Sequence, residues 1–474
     1  MLFNSLTFVV FFALVLAGFW TLKSWNARKN LLLVASYVFY GAWNPPFALL
    51  LFLSSYVNFL LGLRMAKTPQ GSGSRRGWLL VSLVVNLGML GFFKYGTFFL
   101  ENLQWLLAQA GVVYQPPTMD IVLPVGISFY TFQSLTYTLD VYRGTLQPTR
   151  SLRDFAFFVA FFPQLVAGPI VRAADFLPQC EAPAPLRPGR MAWGLFLMTL
   201  GLFQKVVLAD TLLAGASETV FGHRGPLVPL DAWAGVIAFS GQIFFDFSGY
   251  STCAIGAALC LGFSLVDNFR FPYAAIGFSD FWRRWHISLS SLLRDYVYIP
   301  LGGNRKGMAR ASINVLIVMF VGGLWHGAAW TFVAWGVLHG VYLVIERTLG
   351  GVFNAQRWSH AFLAKLVLVL ATYVAVCVTW VFFRAADFPT AARILGAMAG
   401  QIPVGDALLS TRELLQVAVV TTGLLTSHWC LRDTTLEAAL ARWPAWLLTA
   451  AWALMACALI LTQGNGNAFI YFQF

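Results

Sequence analysis

Long apolar stretches separated by short polar ones run through almost the whole chain. A helix needs roughly 20 apolar residues to cross a bilayer. The pattern predicts apolar helices at Leu2–Leu22, Leu31–Trp43, Pro46–Leu63, Trp78–Phe93, Tyr95–Val112, Ile121–Thr138, Phe155–Ile170 and Met191–Val207. It continues with Trp233–Leu265, Ile313–Phe320, Ala328–Ile345, Phe362–Phe383, Leu414–Cys430 and Ala445–Leu461. Leu31–Trp43 and Ile313–Phe320 are too short to cross alone and read as parts of broken or re-entrant helices. Trp233–Leu265 is long enough to hold a break. The expected fold is an all-α polytopic membrane protein with about 11 transmembrane helices, plus re-entrant and interfacial ones. Residues 1–474 are treated as a single membrane domain.

One stretch, Phe281 to Gly327, departs from this pattern. Trp282, Trp285, Leu289, Leu292, Leu293 and Tyr296 recur at helical spacing, with Arg283, His286, Ser290 and Arg294 on the other side. That predicts an amphipathic interfacial helix over 281–300, closed by Pro300 and Gly302-Gly303-Asn304. Its arginines, Arg283, Arg284, Arg294 and Arg305, either meet lipid headgroups or attract a phosphate-bearing donor. From Ala311 to Ile345 the only ionisable side chains, tyrosine aside, are His326 and His339. Gly322, Gly323 and Gly327 surround His326 and predict a broken helix there. Irregular backbone at membrane depth needs protein or a wet cavity around it. His326 is then either a near-neutral base in a cavity or a histidine packed against a carbonyl. For His286 and His339 the packed reading is the commoner one.

Composition narrows the class. Of 474 residues, 59% are hydrophobic and 11% charged, against about 25% charged in soluble domains. The net charge of +12 would suggest nucleic acid in a soluble protein. Here it fits the positive-inside bias and contact with anionic lipid or an anionic cofactor. Arg64, Lys67, Arg75 and Arg76 place one short loop in the cytoplasm, and the basic excess over Arg270–Arg310 places that segment there too. Arg432 and Arg442, just before the last span, place that loop inside, so the tail after Leu461 faces outward. The N-terminus lacks the basic start of a signal peptide and reads as a retained first span. The six cysteines show no metal-like spacing, so no metal is expected.

Polar residues inside apolar context form a supporting set. Asp246 lies in IFFDFSGYS, Asp140 and Arg143 close LPVGISFYTFQSLTYTLDVYRG, and Arg172 follows FFPQLVAGPIV. Lys205 and Asp210 flank VVLA and are placed to pair. Each alone is more often a structural ion pair or hydrogen bond than a catalytic group. The outward tail over 464–474, GNGNAFIYFQF, is either an aromatic belt at the interface or a segment that folds back into a cavity.

Seven stretches together carry a resemblance: NLLLVASYVFYGAW, LPVGISFYTFQSLTYTLDVYRG, FFPQLVAGPIVR, QIFFDFSGYS, DNFRFPY, FWRRWHISLSSLLRDYVYIPLGGNR and GGLWHGAAWTFVAWGVLHG. Their set and order resemble the membrane-bound O-acyltransferase family over nearly the full length, in particular its bacterial alginate O-acetylation branch. The resemblance implies helices around a thin centre, with an outer funnel and a tunnel to the cytoplasm. It makes His326, in the WHG motif, catalytic, and His286 a contributor to the donor entrance or tunnel. It implies acetyl-CoA as a cytoplasmic donor and an inner-membrane location. A separate periplasmic esterase-like partner would place the acetyl group on a polysaccharide hydroxyl. Related envelope acylation systems carry a C-terminal aromatic motif whose tyrosine takes the acyl group, and FIYFQF matches it with Tyr471. An acyltransferase for lipid or protein is the enzymatic alternative. A transporter or flippase is the non-enzymatic one, for which inverted repeats would be expected.

Overall fold

The computed structural model describes residues 1, 3–117, 121–182, 188–350, 361–401 and 406–462. Among them every regular element is helical. Among the described residues eight helices are long and apolar enough to cross a membrane, and two shorter apolar ones lie at Leu6–Thr21 and Ala445–Leu461. The chain is a multi-pass membrane protein.

The chain divides into two compact units, the first built from 1–198 and 251–266, the second from 199–250 and from 267 onward. The first unit opens with α1 (Leu6–Thr21), α2 (Trp25–Gly41), α3 (Pro45–Ala66), α4 (Gly73–Gln109) and α5 (Ile127–Arg143). Trp78–Phe93 and Tyr95–Val112, expected as two helices, are one. Lys94 between them imposes no backbone constraint, so nothing stops α4. At 1.5 Å per residue its 37 residues extend about 55 Å, beyond the hydrocarbon core.

Short helices α6 (Leu152–Ala160), α7 (Phe162–Leu165) and α8 (Ala173–Glu181) follow. They bury Phe155, Phe157, Phe158, Phe161 and Phe162 completely. Polar side chains join the long helices from within. Asn58 and Asn86 exchange amide hydrogen bonds at 3.1 and 2.7 Å, and Ser82 bonds Thr138 at 2.9 Å. Arg75, expected to mark a cytoplasmic loop, is buried. Its guanidinium donates to the carbonyls of Met65, Thr68, Val141 and Tyr142, which lie at the C-terminal ends of α3 and α5. Those last-turn carbonyls have no partner within their own helices.

The second unit's helical runs begin within α9 (Pro188–Leu202). A π-helical run, Phe203–Leu213, leads into α10 (Ala214–Gly222). Its i→i+5 repeat places residues five apart on one side, and so Lys205 Nζ meets Asp210 Oδ1 at 2.8 Å. Asp246, from α11 (Pro229–Cys260), closes on the same ammonium. The pairing expected of Lys205 and Asp210 is therefore present, and Asp246 is the third member. α11 runs without the break its length allowed.

The helix expected over 281–300 is in three pieces: α12 (Phe278–Arg284), α13 (Ile287–Leu293) and a π-turn, Arg294–Tyr298. Turns follow through Lys306, at the stop expected from Pro300 and the glycines. His286 sits at the first break with φ 45° and is fully buried, not on a polar face.

Ile313–Phe320 is not re-entrant but part of a continuous α14 (Gly307–His326). The expected break exists, displaced to residues 327–329, before α15 (Trp330–Leu349). Gly322 and Gly323 are helical. A Cβ on Gly323 would overlap the Phe332 carbonyl, and one on Gly336 the Met319 carbonyl. Small residues thus let α14 and α15 pack backbone to backbone, as membrane helices favour. The chain continues with α16 (Phe362–Arg384), α17 (Phe388–Met398), α18 (Thr411–Leu431), α19 (Leu436–Leu440) and α20 (Ala445–Leu461). Asp280 ties α12 to the end of α18 through Arg284 and Arg432, each at 2.9 Å.

Candidate active site

His326 is the last residue of α14, where the tight α14–α15 packing ends and Gly327 turns extended. Its ring is 3% exposed as part of a buried residue. Trp325 and Trp335 meet it edge-on, each with centroids 4.9 Å away, and Phe383 of α16 lies at 5.2 Å. Trp335 stacks on Trp380, which braces that wall.

The ring of His286 lies 6.3 Å from that of His326 and 5.5 Å from that of Trp325. Two histidines 40 residues apart in sequence thus share one aromatic chamber. Phe247 of α11 packs edge-on against His286 at 4.7 Å. Burial pushes the His286 pKa down from 6.5 to about 3. Its ring is therefore neutral at pH 7, since burial penalises the charged form.

Asn268 holds His286 in place. Its carbonyl accepts from the Ile287 N–H at 2.9 Å. Its side-chain oxygen faces His286 Nδ1 at 3.1 Å, the Ser288 N–H at 3.3 Å and the Ser288 hydroxyl at 2.9 Å. Nothing in the local sequence marks Asn268 as part of the site, although it lies in the DNFRFPY stretch.

His339 is packed in place. Its Nε2 bonds the Thr379 hydroxyl at 3.0 Å, while that hydroxyl donates to the Val376 carbonyl at 2.7 Å. Its ring stacks on Phe281 at 5.8 Å. Asp246 and Lys205 are held in their ion triad. A further histidine, His428, accepts the Tyr273 N–H at 3.2 Å and is structural.

The four arginines differ in what they have left to offer. Arg284 is committed to Asp280 and to the Arg432 carbonyl at 2.9 Å. Burial pushes the Asp280 carboxyl up, but Arg284, the Ile276 N–H and Arg432 outweigh it and hold it below its ordinary 3.8. Arg294 pairs with its neighbour Asp295 at 2.7 Å. Arg283 and Arg305 are exposed and make no ion pair among the described residues. Tyr471 lies outside the described residues. No group of histidine, cysteine, aspartate and glutamate among the described residues is arranged to hold a metal. An open apolar cavity of about 670 Å³ lies in the first unit, lined by residues such as Tyr37, Pro45 and Phe52. It includes none of the candidate residues.

A buried neutral imidazole beside a second histidine, walled by aromatic side chains within a bundle of apolar helices, suits proton transfer. The family model described as MBOAT, membrane-bound O-acyltransferase family, matches residues 147–382, a span that holds both histidines. The chain belongs to the membrane-bound O-acyltransferase family. It is an enzyme, an O-acetyltransferase.

Among its relatives is a probable alginate O-acetylase of Pseudomonas putida, 40% identical over 440 residues that cover 91% of this chain and 88% of that protein. A peptidoglycan O-acetyltransferase of Helicobacter pylori is 37% identical, covering 84% and 80%. A teichoic acid D-alanyltransferase of Bacillus subtilis is 25% identical over 57% of this chain and 71% of that protein.

Proposed function

We propose that this protein moves acetyl groups from cytoplasmic acetyl-CoA across a bacterial inner membrane for O-acetylation of an alginate-like or other cell-envelope polysaccharide. The observation that carries the reading is the chamber at the end of α14, where His326 and neutral His286 meet inside the family-matching region. The names of relatives acting on alginate and peptidoglycan support a polymer as final acceptor.

In this reading the acceptor hydroxyl oxygen attacks the thioester carbonyl carbon while His326 takes its proton. The carbon–sulfur bond then breaks, and the proton held on His326 passes to the departing sulfur. An ester and free CoA thiol result. The aromatic walls exclude water, which would otherwise compete with the hydroxyl. Because His326 is so nearly enclosed, substrates enter by displacing at least one of Trp325, Trp335 and Phe383. Arg283 and Arg305 draw in the donor's phosphates, with Arg294 and Arg284 adding to the local positive charge.

A separate periplasmic esterase-like protein completes transfer to the polysaccharide. Tyr471, on a periplasmic C-terminal tail, is the first acetyl acceptor. Its phenol ester is activated enough to pass the group to a partner serine. The test is polymer acetylation in cells that depend on this chain. His326→Ala abolishes it while the protein is still inserted, and Tyr471→Phe abolishes it too. Normal acetylation with His326→Ala removes the catalytic assignment, and normal acetylation with Tyr471→Phe removes the carrier role.

A further inference from the structure

We propose that Asn268 is a positioning residue for the transfer: its side-chain oxygen fixes His286 as the Nδ1–H tautomer, leaving Nε2 as a proton-accepting lone pair in the His326 chamber. The relevance to catalysis rests on the reading above. The tautomer assignment stands on the hydrogen-bond geometry together with the burial of the ring.

The argument begins at Ser288. Its backbone N–H is an obligatory donor and lies 3.3 Å from the Asn268 side chain. The atom facing it is therefore the carboxamide oxygen, not the nitrogen. The Ser288 hydroxyl meets the same oxygen at 2.9 Å. His286 Nδ1 approaches that oxygen at 3.1 Å. An amide oxygen only accepts, so Nδ1 must carry the proton.

Burial keeps the ring neutral, so it holds one proton, and Nε2 is left with a lone pair. Nε2 is buried and has no hydrogen-bond partner among the described residues. A buried acceptor left without a partner is costly and is a mark of a position that receives one during function.

The backbone points the same way. His286 adopts a left-handed conformation, φ 45° and ψ 54°, which is uncommon for a residue with a side chain. Asn268 holds it there from both sides, through its carbonyl to the Ile287 N–H and its side chain to His286 and Ser288. Strain held in this way collects at functional sites. The ring centroids of His286 and His326 lie 6.3 Å apart, so the two rings border the same small region. A hydroxyl or thiol entering there finds an acceptor at Nε2. The opposite tautomer would present an N–H to the same group.

Nitrogen NMR of ring-labelled histidine in the full-length, detergent-solubilised protein tests this directly. The chain has six histidines, and the His286 signals are those lost in His286→Gln. The wild type should show a single neutral Nδ1–H form at pH 7. Asn268→Ala should convert His286 to the Nε2–H form or a mixture, and lower acetyl turnover at least tenfold while changing KM for acetyl-CoA less. Asn268→Asp offers the same acceptor and should restore the Nδ1–H form and part of the turnover. Ser288→Ala should leave the Nδ1–H form in place.

A wild-type Nε2–H form, or Asn268→Ala with its tautomer unchanged, overturns the assignment. A changed tautomer with wild-type turnover overturns the positioning role. If the wild type itself transfers no acetyl from acetyl-CoA, the reaction reading fails, while the spectra still decide the tautomer.

Discussion

Replacing Gly336 by alanine tests whether the backbone contact between α14 and α15 sets the position of His326. The added Cβ would overlap the Met319 carbonyl and lie 3.1 Å from Gly323 Cα. Ordinary carbon contacts sit at about 3.5–4.0 Å, so the helices must part by roughly 1 Å. Both obstructing atoms belong to backbone inside a helix and cannot turn aside as a side chain would. Overpacking of this kind costs about 1–3 kcal/mol of stability. Gly336 follows Trp335, a wall of the chamber, and Gly323 is one turn from His326. A misplacement of about 1 Å at reacting groups costs on the order of 100-fold in rate. The assay pairs acetyl transfer from labelled acetyl-CoA with the thermal midpoint of the purified protein in detergent. Gly77→Ala and Gly88→Ala in α4 are the controls, because a Cβ at either meets nothing within 4 Å. Alanine there should stabilise by about 0.5–1 kcal/mol. If Gly336→Ala matches these controls in both stability and rate, the packing argument is wrong.

Two further perturbations probe the buried charges. Lys205→Met removes the ammonium that the Asp210 and Asp246 carboxylates share. It should cost about 3–5 kcal/mol, and adding Asp210→Asn and Asp246→Asn should recover most of that in thermal unfolding. His286, with its pKa depressed from 6.5 to about 3 in the fold, favours the native state fully above pH 6.5. As pH falls below 6.5 the unfolded chain takes up a proton that the native ring refuses, so stability declines. Between pH 8 and pH 5.5 the wild type should lose more thermal stability than His286→Gln. Equal losses would show that the ring titrates normally.

Much of this architecture is legible in the apolar pattern, and His326 stands out because an ionisable side chain in a long apolar run is unusual. The parts that escape are set by contacts distant in the chain. WRRWHISLS contains no glycine or proline, so nothing local ends a helix at His286. The break comes from Asn268, 18 residues earlier, which offers the acceptor bonds that hold a left-handed turn. The glycines near His326 signal an interruption but mislead about its place. Gly323 serves close helix packing, Gly322 stays helical beside Leu293, and of the three only Gly327 lies in the break. Lys94 looks like the end of a span, yet a charge within a helix does not terminate it. The third member of the Lys205 triad follows from the π-helical run and the packing of α11, neither of which leaves a periodic signal. Phe383 and Trp335 look like ordinary span residues until three helix segments meet at the chamber.

The most direct test of the account uses the full-length protein in sealed proteoliposomes supplied with acetyl-labelled CoA, comparing wild type with His326→Gln at equal insertion. The account predicts label transferred from CoA by the wild type, to the protein or to an added partner, and a loss of at least a hundredfold in the variant. Transfer by His326→Gln at the wild-type rate would contradict it.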